Sequence, residues 1–565
     1  MKDKIKFKTI LYTFIFLSIF NSCYSKVSNF NFNAKNISNY FSGVVSFDNY
    51  NYQNSRSFFR QLDNFENENI SYSSKFLQSL INLGRYPDAL RYSKKLENKN
   101  KSVFESNIFL ALHEFKRKNY IKANYYFDKI KIDPRNQGTI EILKSSFYAW
   151  SNLSQTKDIK SIERLKESNL AFNNLILIQK TFANCYLNNP NVEREFTKII
   201  ENEELNFTRL NFFYGNYLNN KNKKKEAYNF IDSSSKEYPR NLLINQFKKV
   251  LNASEKNINI FNCQDSSHVL AEIIYIIANA LSSQQMYKRS NFYANLSKFL
   301  NPNFKSYNTV LAENFVLLKK NETAKKIYEQ ILNYGSSYKW YAAKQLTNIA
   351  KKEEEKTSTN LLKEVYNSLN KDIYDTFDYA NFLRNNENYE DSVKFYSEIL
   401  EIISDQHKLY PVVLERRGMA YERMDKWELG EKDLIASLQI TPDEPFVMNY
   451  LAYSWVEKNK NVDEALLMLK KANNIEKNNG YITDSLGWAL YKLEKFSEAK
   501  KYLQKAIILM PRDPIINDHY GDCLWMNDLK IQARYYWNNV LKLEEKDKDL
   551  KKKVEKKLLF GLGKI

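Results

Sequence analysis

The histidines and carboxylates are the residues of this sequence that could support catalysis or bind a metal ion. Only four histidines occur in 565 residues, at positions 113, 268, 407 and 519. No H-E-x-x-H, G-x-S-x-G, G-x-x-x-x-G-K or G-x-G-x-x-G motif is present. The acidic residues recur at ordinary helical spacing, which is typical of solvated helix faces with i,i+4 ion pairs. The sequence therefore predicts no enzymatic activity, no cofactor and no metal site.

The cysteines could act as disulfide partners, metal ligands or lipidation sites. Cys185, Cys263 and Cys523 lie far apart and show no paired spacing, and no C-x-x-C occurs. Such a scattered set is atypical of a disulfide framework or a zinc site. We therefore expect these three residues to be small buried side chains.

The N-terminus has the pattern of an export signal. Four lysines lie within the first eight residues, and a 12-residue apolar run from Thr9 to Phe20 follows them. This run is too short to span a bilayer but fits the hydrophobic part of a signal peptide. Residues 1–25 are therefore predicted to be a signal peptide, and residues 26–35 a short linker. The protein is predicted to be exported to the periplasm.

Two cleavage sites are compatible with this signal. Residues 20–23, Phe-Asn-Ser-Cys, resemble a bacterial lipobox. The resemblance implies cleavage before Cys23 and a lipid on that cysteine, which would hold the protein at a membrane. Tyr24 stands where an Asp would follow in lipoproteins kept at the inner membrane, so the outer membrane is favoured. Cleavage after Ser25 would instead release a soluble periplasmic protein.

Glycine and proline are scarce, at 12 and 10 in 565 residues, well under half of typical usage. Sandwiches, barrels and doubly wound α/β folds need both residue types for tight turns and phosphate-binding loops. A mostly helical protein with short connections is therefore predicted. The formal net charge of +19 could attract nucleic acid or another anionic polymer. The basic residues are interspersed with acidic ones, however, which favours solvated lysines on helix surfaces.

A period of 34 residues runs through most of the chain. The clearest small residues recur one step later: Gly487, Ala499 and Ala506 are followed by Gly521, Ala533 and Val540. Small residues at these positions let two helices of a hairpin approach each other closely, and each hairpin must stack on the next to cover its apolar face. The period is well formed over residues 371–543 and degenerate over residues 36–370. Its register is not assignable in 138–200 and 241–265.

The best of these repeats resembles the tetratricopeptide repeat (TPR). The resemblance rests on the segment from Tyr481 to Tyr491 and on Phe496, Ala499, Ala506 and Pro511. It implies an all-α fold of αα-hairpins stacked into a right-handed superhelical solenoid. An extended solenoid brings few distant residues together, so we expect little contact between remote helices. The order of signal, weak repeats and better repeats is similar to that of alphaproteobacterial TPR proteins of unassigned function.

The resemblance also implies a concave groove lined by the first helix of each hairpin. Carried onto this sequence, the groove residues are Tyr453, Tyr481, Asp484, Trp488, Tyr491, Asp518, Asp522 and Trp525. We expect the carboxylates to be exposed, because unpaired carboxylates are rarely buried. The two tryptophans could instead pack between adjacent repeats. An acidic and aromatic groove favours a peptide partner with basic and with aromatic or apolar side chains.

The last residues, 544–565, are rich in lysine and are predicted to form a charged helix that covers the final repeat. A helix lying on a membrane surface is the alternative, although its apolar face is short. The whole sequence predicts a non-enzymatic scaffold or adaptor of the bacterial cell envelope that binds protein or peptide partners in its groove. The alternative function is binding of nucleic acid or an anionic polymer through the net positive charge.

Overall fold

The protein is described by a computed structural model that covers residues 32–62, 64–130, 137–165, 170–202, 207–253, 255–353, 358–543 and 548–563. These residues contain thirty α-helices and no β-strand, so the prediction of an all-α repeat protein is confirmed. One isolated antiparallel bridge joins Asn259 to Phe304. None of the described helices combines the length and hydrophobicity needed to cross a bilayer. The chain divides into two units, the first ending at Leu369 and the second beginning at Asn370.

The described residues of the first unit form nineteen α-helices. They are α1 (Ala34–Asp48), α2 (Tyr52–Phe59), α3 (Ile70–Asn82), α4 (Tyr86–Asn98), α5 (Phe104–Lys116), α6 (Tyr120–Asp128), α7 (Gln137–Thr156), α8 (Lys160–Glu163), α9 (Leu170–Tyr186), α10 (Val192–Ile200), α11 (Arg209–Asn220), α12 (Lys224–Glu237), α13 (Leu242–Leu251), α14 (Ser266–Ser283), α15 (Tyr287–Leu300), α16 (Asn308–Leu317), α17 (Asn321–Ile331), α18 (Ser336–Lys352) and α19 (Ser358–Ser368). Short 3-10 turns occur at Phe65–Asn67 and Lys305–Tyr307.

The second unit has eleven described helices. They are α20 (Ile373–Asn385), α21 (Tyr389–Ile402), α22 (Tyr410–Arg423), α23 (Trp427–Ile440), α24 (Pro445–Glu457), α25 (Val462–Ile475), α26 (Gly480–Lys492), α27 (Phe496–Leu509), α28 (Pro514–Met526), α29 (Lys530–Lys542) and α30 (Lys548–Phe560). Consecutive helices pair as antiparallel hairpins, and each hairpin packs on the next.

The small residues of the repeat lie where the two helices of a hairpin touch. A Cβ added to Gly487 would lie 2.6 Å from Leu503 Cγ, and one added to Gly521 would lie 2.5 Å from Trp537 Cδ1. Both distances are shorter than any van der Waals contact, so a larger side chain would force the helices apart. The position predicted from the period is therefore a point of closest approach.

The turns inside the hairpins explain how the chain manages with so little glycine. Asp425, Asn459, Glu494 and Asp528 take a left-handed backbone conformation, with φ between 50° and 61°. Each of these residues follows the first helix of its hairpin, and consecutive ones are 34 or 35 residues apart. Short polar residues such as Asn and Asp tolerate this conformation better than most. The joint between helices is thus built mainly from Asn and Asp in these repeats.

The first unit folds back on itself, contrary to the expectation of little contact between remote helices. Helix α15 packs against α3 and α5. Tyr86 Oη donates a hydrogen bond to Asn295 O at 2.8 Å, and Lys116 Nζ donates one to Phe299 O at 2.5 Å. The unit folds back because α14 and α15 have buried residues on most of their faces. Twelve of the 18 residues of α14 are buried, more than a single apolar stripe would provide, so the helix needs neighbours on several faces.

Cys185 and Cys263 form a disulfide, so the expectation that the cysteines are unpaired is wrong for these two. Cys185 lies near the end of α9, and Cys263 lies in the non-helical segment before α14. Phe261 anchors this segment through ring contacts with Phe182 and Phe213. The pairing joins residues 78 positions apart, which no local spacing could indicate. Cys523 is free and buried, as predicted.

Candidate protein-interaction site

The eight predicted groove residues lie on the first helices of three consecutive hairpins. Helix α24 carries Tyr453, α28 carries the last three, and α26 carries the four from Tyr481 to Tyr491. Helix α26 packs directly against both α24 and α28. The structure therefore gathers these residues into one continuous band of the second unit.

Side-chain caps fix where these helices begin. Asn479 Oδ1 accepts hydrogen bonds from the backbone N–H groups of Tyr481 and Ile482 at 3.1 and 3.2 Å. Asp513 caps α28 in the same way, and Pro514 occupies the first turn, where its missing N–H costs nothing. The caps stand 34 residues apart and hold successive first helices in the same register.

Asp484 faces α28 and binds a histidine there. His519 Nδ1 lies 2.9 Å from Asp484 Oδ2. The imidazole stacks on the Trp488 indole with centroids 3.9 Å apart, and Trp488 stacks in turn on Tyr491 at 4.7 Å. Burial opposes protonation of His519, but the adjacent carboxylates, led by Asp484, outweigh it and raise the pKa of the imidazole.

Asp518 and Asp522 bind a lysine from the C-terminal helix. Lys557 Nζ donates to both oxygens of Asp518 at 2.7 and 2.8 Å and to Asp522 Oδ2 at 2.8 Å. Trp537 Nε1 donates to the other oxygen of Asp522 at 2.9 Å. Burial, reinforced by the charge of Asp518, raises the pKa of Asp522 to about 6 despite the lysine.

The three groove carboxylates are buried, so the expectation that they are exposed is wrong. Asp484, Asp518 and Asp522 are 5%, 7% and 5% exposed. The expectation fails because the chain supplies its own cations: His519 serves the first carboxylate and Lys557 the other two. Three carboxylates against two cations still leave one negative charge in excess when all are ionised.

The two tryptophans differ in their surroundings. Trp488 is buried, and its Nε1 donates to Glu457 Oε1 of α24 at 2.6 Å, so it packs between adjacent repeats. Trp525 is half-buried beside Trp537. Tyr481, in contrast, is 55% exposed.

A small cavity opens beside Asp484 and keeps two acceptors free. Its volume is about 200 Å³, and we call it the tyrosine pocket after three lining residues, Tyr450, Tyr453 and Tyr481. Asp484 and Asn449 also line it. The Oδ1 atom of each is buried and has no hydrogen-bond partner among the described residues. Buried acceptors are almost always satisfied, so the pocket has unused capacity for a hydrogen-bond donor.

Two residues of this band, His519 and Lys557, were not predicted from the sequence, although they share a spacing that identifies them. His519 follows Asp484 by 35 residues, and Lys557 follows Asp522 by 35. A residue 35 positions after a groove carboxylate, which is one period plus one residue, lies beside that carboxylate on the helix that follows in the stack. A basic residue at that spacing after a groove carboxylate is therefore the signal.

In the part of the chain that the structure describes, no three His, Cys, Asp or Glu side chains are grouped to hold a metal ion. The histidine at position 519 is enclosed by Trp488 and Asp484, which leaves it stacked and paired.

Comparison with known proteins gives a short match in the same band. A family model described as Tetratricopeptide repeat matches residues 484–513. The TPR repeat-containing protein PA4667 of Pseudomonas aeruginosa is 29% identical over 125 residues, which are 22% of this chain and 21% of that relative. The chain thus aligns with about a fifth of the relative's length.

Solved structures that match the chain cover about a third of it. TTC0263, described as a thermophilic TPR protein in Thermus thermophilus, has 15% identity and a TM-score of 0.29, and covers 33% of this chain and 100% of its own. MamA from Desulfovibrio magneticus has 18% identity and a TM-score of 0.27, and covers 31% of this chain and 97% of its own.

Proposed function

We propose that the chain is a non-enzymatic scaffold or adaptor of the bacterial cell envelope. It holds a peptide segment of a protein partner on the band formed by α24, α26 and α28. The tetratricopeptide-repeat match over residues 484–513 supports this proposal. Stacked hairpins of this kind offer an extended surface and few enclosed sites. The partner segment carries a lysine or arginine and neighbouring apolar side chains.

The observation that supports this proposal is the pair of unused acceptors in the tyrosine pocket. A basic side chain can lay its alkyl chain along the rings of Tyr453 and Tyr481 and place its N–H groups near Asp484 Oδ1 and Asn449 Oδ1. The excess negative charge of the neighbouring carboxylates favours a guest cation. Ile515, 49% exposed at the rim, provides an apolar contact for an adjacent residue of the partner.

A matched pair of peptides tests the cation directly. We expect the full chain to bind a fluorescein-labelled pentapeptide with a central arginine between leucine and phenylalanine at least about tenfold more tightly than the same peptide with citrulline. Citrulline keeps the shape of arginine and lacks its charge. Fluorescence anisotropy measures both affinities.

Two tyrosine variants locate the binding. Tyr481→Ala should abolish most of the preference for arginine, whereas Tyr535→Ala, an equally exposed tyrosine on the second helix α29, should leave it unchanged. Equal affinity of the wild-type chain for the arginine and citrulline peptides would contradict the tyrosine pocket as a cation site.

The cell-envelope location is part of the same proposal. Residues 1–25 and Cys23 lie outside the described residues, so the support comes from elsewhere in the chain. The disulfide between Cys185 and Cys263 is consistent with an oxidising compartment such as the periplasm, since disulfides rarely persist in the cytosol. We infer that the signal peptide directs export and that a lipid on Cys23 holds the protein at the outer membrane.

Fractionation of cells that express the full chain tests the location. We expect the wild-type protein in the outer-membrane fraction and Cys23→Ser in the soluble periplasm or as an unprocessed precursor, while Ser25→Ala behaves as wild type. Recovery of the wild-type chain from the cytosol with reduced Cys185 and Cys263 would refute export. Wild-type protein that is soluble in the periplasm would retain export and exclude the anchor.

A further inference from the structure

One cavity of the first unit lies where the α1–α2 segment meets helices α15 to α17. The cavity has a volume of about 910 Å³, within the range of small-molecule sites. One wall comes from residues 49–53, which form the α1–α2 connection and the start of α2, and from the end of α3. The other walls come from α15, α16, α17 and the α16–α17 connection, and from Glu353 after α18. The back-folding of the unit creates this enclosure.

Three of the residues that line this cavity carry a buried polar atom that is unsatisfied. Tyr52 Oη, Asn82 Nδ2 and Asn308 Oδ1 have no hydrogen-bond partner among the described residues, and each has less than 1 Å² of accessible surface. Tyr52 and Asn308 are both only 5% exposed as residues. Buried polar groups are almost always hydrogen-bonded, so three unpaired groups around one cavity indicate a ligand site more strongly than one would.

Lys298 adds an uncompensated cation to the same cavity. It projects from α15 and forms no ion pair with any carboxylate that the structure describes. Burial, together with the charge of Lys305, lowers the pKa of its ammonium group to about 8. Lys298 is half-buried, and its ammonium group gains free energy from any anion that reaches it.

The other charged side chains that line the cavity do not neutralise the positive charge of Lys298. Three further lysines line it: Lys319, Lys320 and Lys326. The two lining carboxylates, Glu322 and Glu353, both pair with Lys325, at 3.3 and 2.6 Å, and Lys325 is not part of the lining. The cavity is therefore positive on balance.

We propose that this cavity binds a small organic anion, a carboxylate or a phosphate monoester attached to an apolar body. The ammonium of Lys298, the hydroxyl of Tyr52 and the amide of Asn82 donate hydrogen bonds to the anionic oxygens. Asn308 Oδ1 accepts one from a hydroxyl or amide of the ligand. Leu311, Phe315 and Ile327, which also line the cavity, contact the apolar body. This site is separate from the tyrosine pocket, since its residues all belong to the first unit.

Calorimetric titration of the full chain with benzoate and with phenyl phosphate tests the proposal. We expect at least one of them to bind, and neutral benzamide to bind at least about tenfold more weakly. The comparison between the two anions distinguishes a carboxylate from a phosphate ligand. Failure of both anions to bind at concentrations up to about 10 mM would overturn the proposal.

Variants then assign the binding to this cavity. Lys298→Met should weaken binding of the better anion at least about tenfold and Tyr52→Phe about three- to tenfold, whereas Lys225→Met, an exposed lysine on α12, should leave it unchanged. Wild-type affinity in both Lys298→Met and Tyr52→Phe would overturn the assignment. Because Tyr52→Phe removes one oxygen atom and little volume, it keeps the test valid if Lys298→Met disturbs folding, which circular dichroism monitors.

Discussion

Replacing Lys557 with methionine is expected to destabilise the second unit by about 3 kcal/mol, one of the two largest single-substitution effects expected in this chain. The lysine is the cation for two buried carboxylates, Asp518 and Asp522. Methionine fills similar space but leaves both acids unpaired. Urea unfolding followed by tryptophan fluorescence measures the effect, because five of the seven tryptophans lie in this unit. Lys556→Met is the matched control, since Lys556 is exposed in the same helix and should change stability by less than about 0.5 kcal/mol.

The cost of Lys557→Met should depend on pH. Because folding raises the pKa of Asp522 from 3.8 to about 6, the folded chain holds more protons than the unfolded chain between these values. The free energy of unfolding therefore decreases as the pH rises through this window, because the stabilising contribution of protonated Asp522 is lost. Without the lysine the carboxylate is still harder to ionise, so the difference between wild type and variant should be largest near pH 7 and should shrink towards about pH 4.5. A difference that is the same at both pH values would contradict the assignment of the effect to these carboxylates.

Glu272→Gln in the first unit should have a comparable effect, a loss of about 3–5 kcal/mol. Glu272 is fully buried. Its carboxylate accepts two hydrogen bonds from the Arg209 guanidinium, one of them at 3.1 Å from Nη2, and one from Tyr307 Oη at 3.3 Å. Glutamine retains the shape and removes the charge, so a buried guanidinium remains without its counter-ion. Hydrogen exchange of peptides from α11 and α14 as a function of urea measures the local loss.

Two controls separate charge from packing in this prediction. Glu193→Gln breaks an exposed ion pair with Lys223 between α10 and α12 and should cost less than about 1 kcal/mol. The double substitution Arg209→Met with Glu272→Leu removes both charges and should recover most of the stability. If the double variant were as unstable as Glu272→Gln, the loss would come from packing and the ion pair would be of minor importance.

The repeat period predicts the second unit well because it depends on contacts between neighbouring hairpins. The spacing of Gly487 and Gly521 alone places them at the closest approach of two helices, and their tight contacts with Leu503 and Trp537 explain the small residue. The period also places the eight predicted groove residues on the first helices of three consecutive hairpins. These features follow from local sequence, since each hairpin contacts only the one before and the one after it.

The charged partners of that band are harder to predict. The sequence predicts that the three groove carboxylates are exposed, because it indicates no basic partner for them close by in the chain. Their partners, His519 and Lys557, lie 35 residues further along the chain than Asp484 and Asp522, a spacing that has meaning only once the stacking of first helices is known. The free acceptors Asp484 Oδ1 and Asn449 Oδ1 depend on side-chain geometry, which sequence does not specify.

The first unit departs from the repeat rules for a physical reason. Its α14 is apolar on most faces, and a linear array cannot cover such a helix. The chain therefore returns over itself, and contacts such as that between Tyr86 and Asn295 span 209 residues. Both the Cys185–Cys263 disulfide and the cavity of Lys298 depend on pairings between residues far apart in sequence, so neither could be predicted from the period.

The C-terminal helix α30 has one further consequence. It offers α28 a cation, as α28 offers His519 to α26, so α30 takes the place that the first helix of another hairpin would have beside α28. The docking of α30 therefore depends on a chemical match between one lysine and two carboxylates. A hairpin inserted before α30 would keep this contact only if it carried carboxylates at the positions of Asp518 and Asp522.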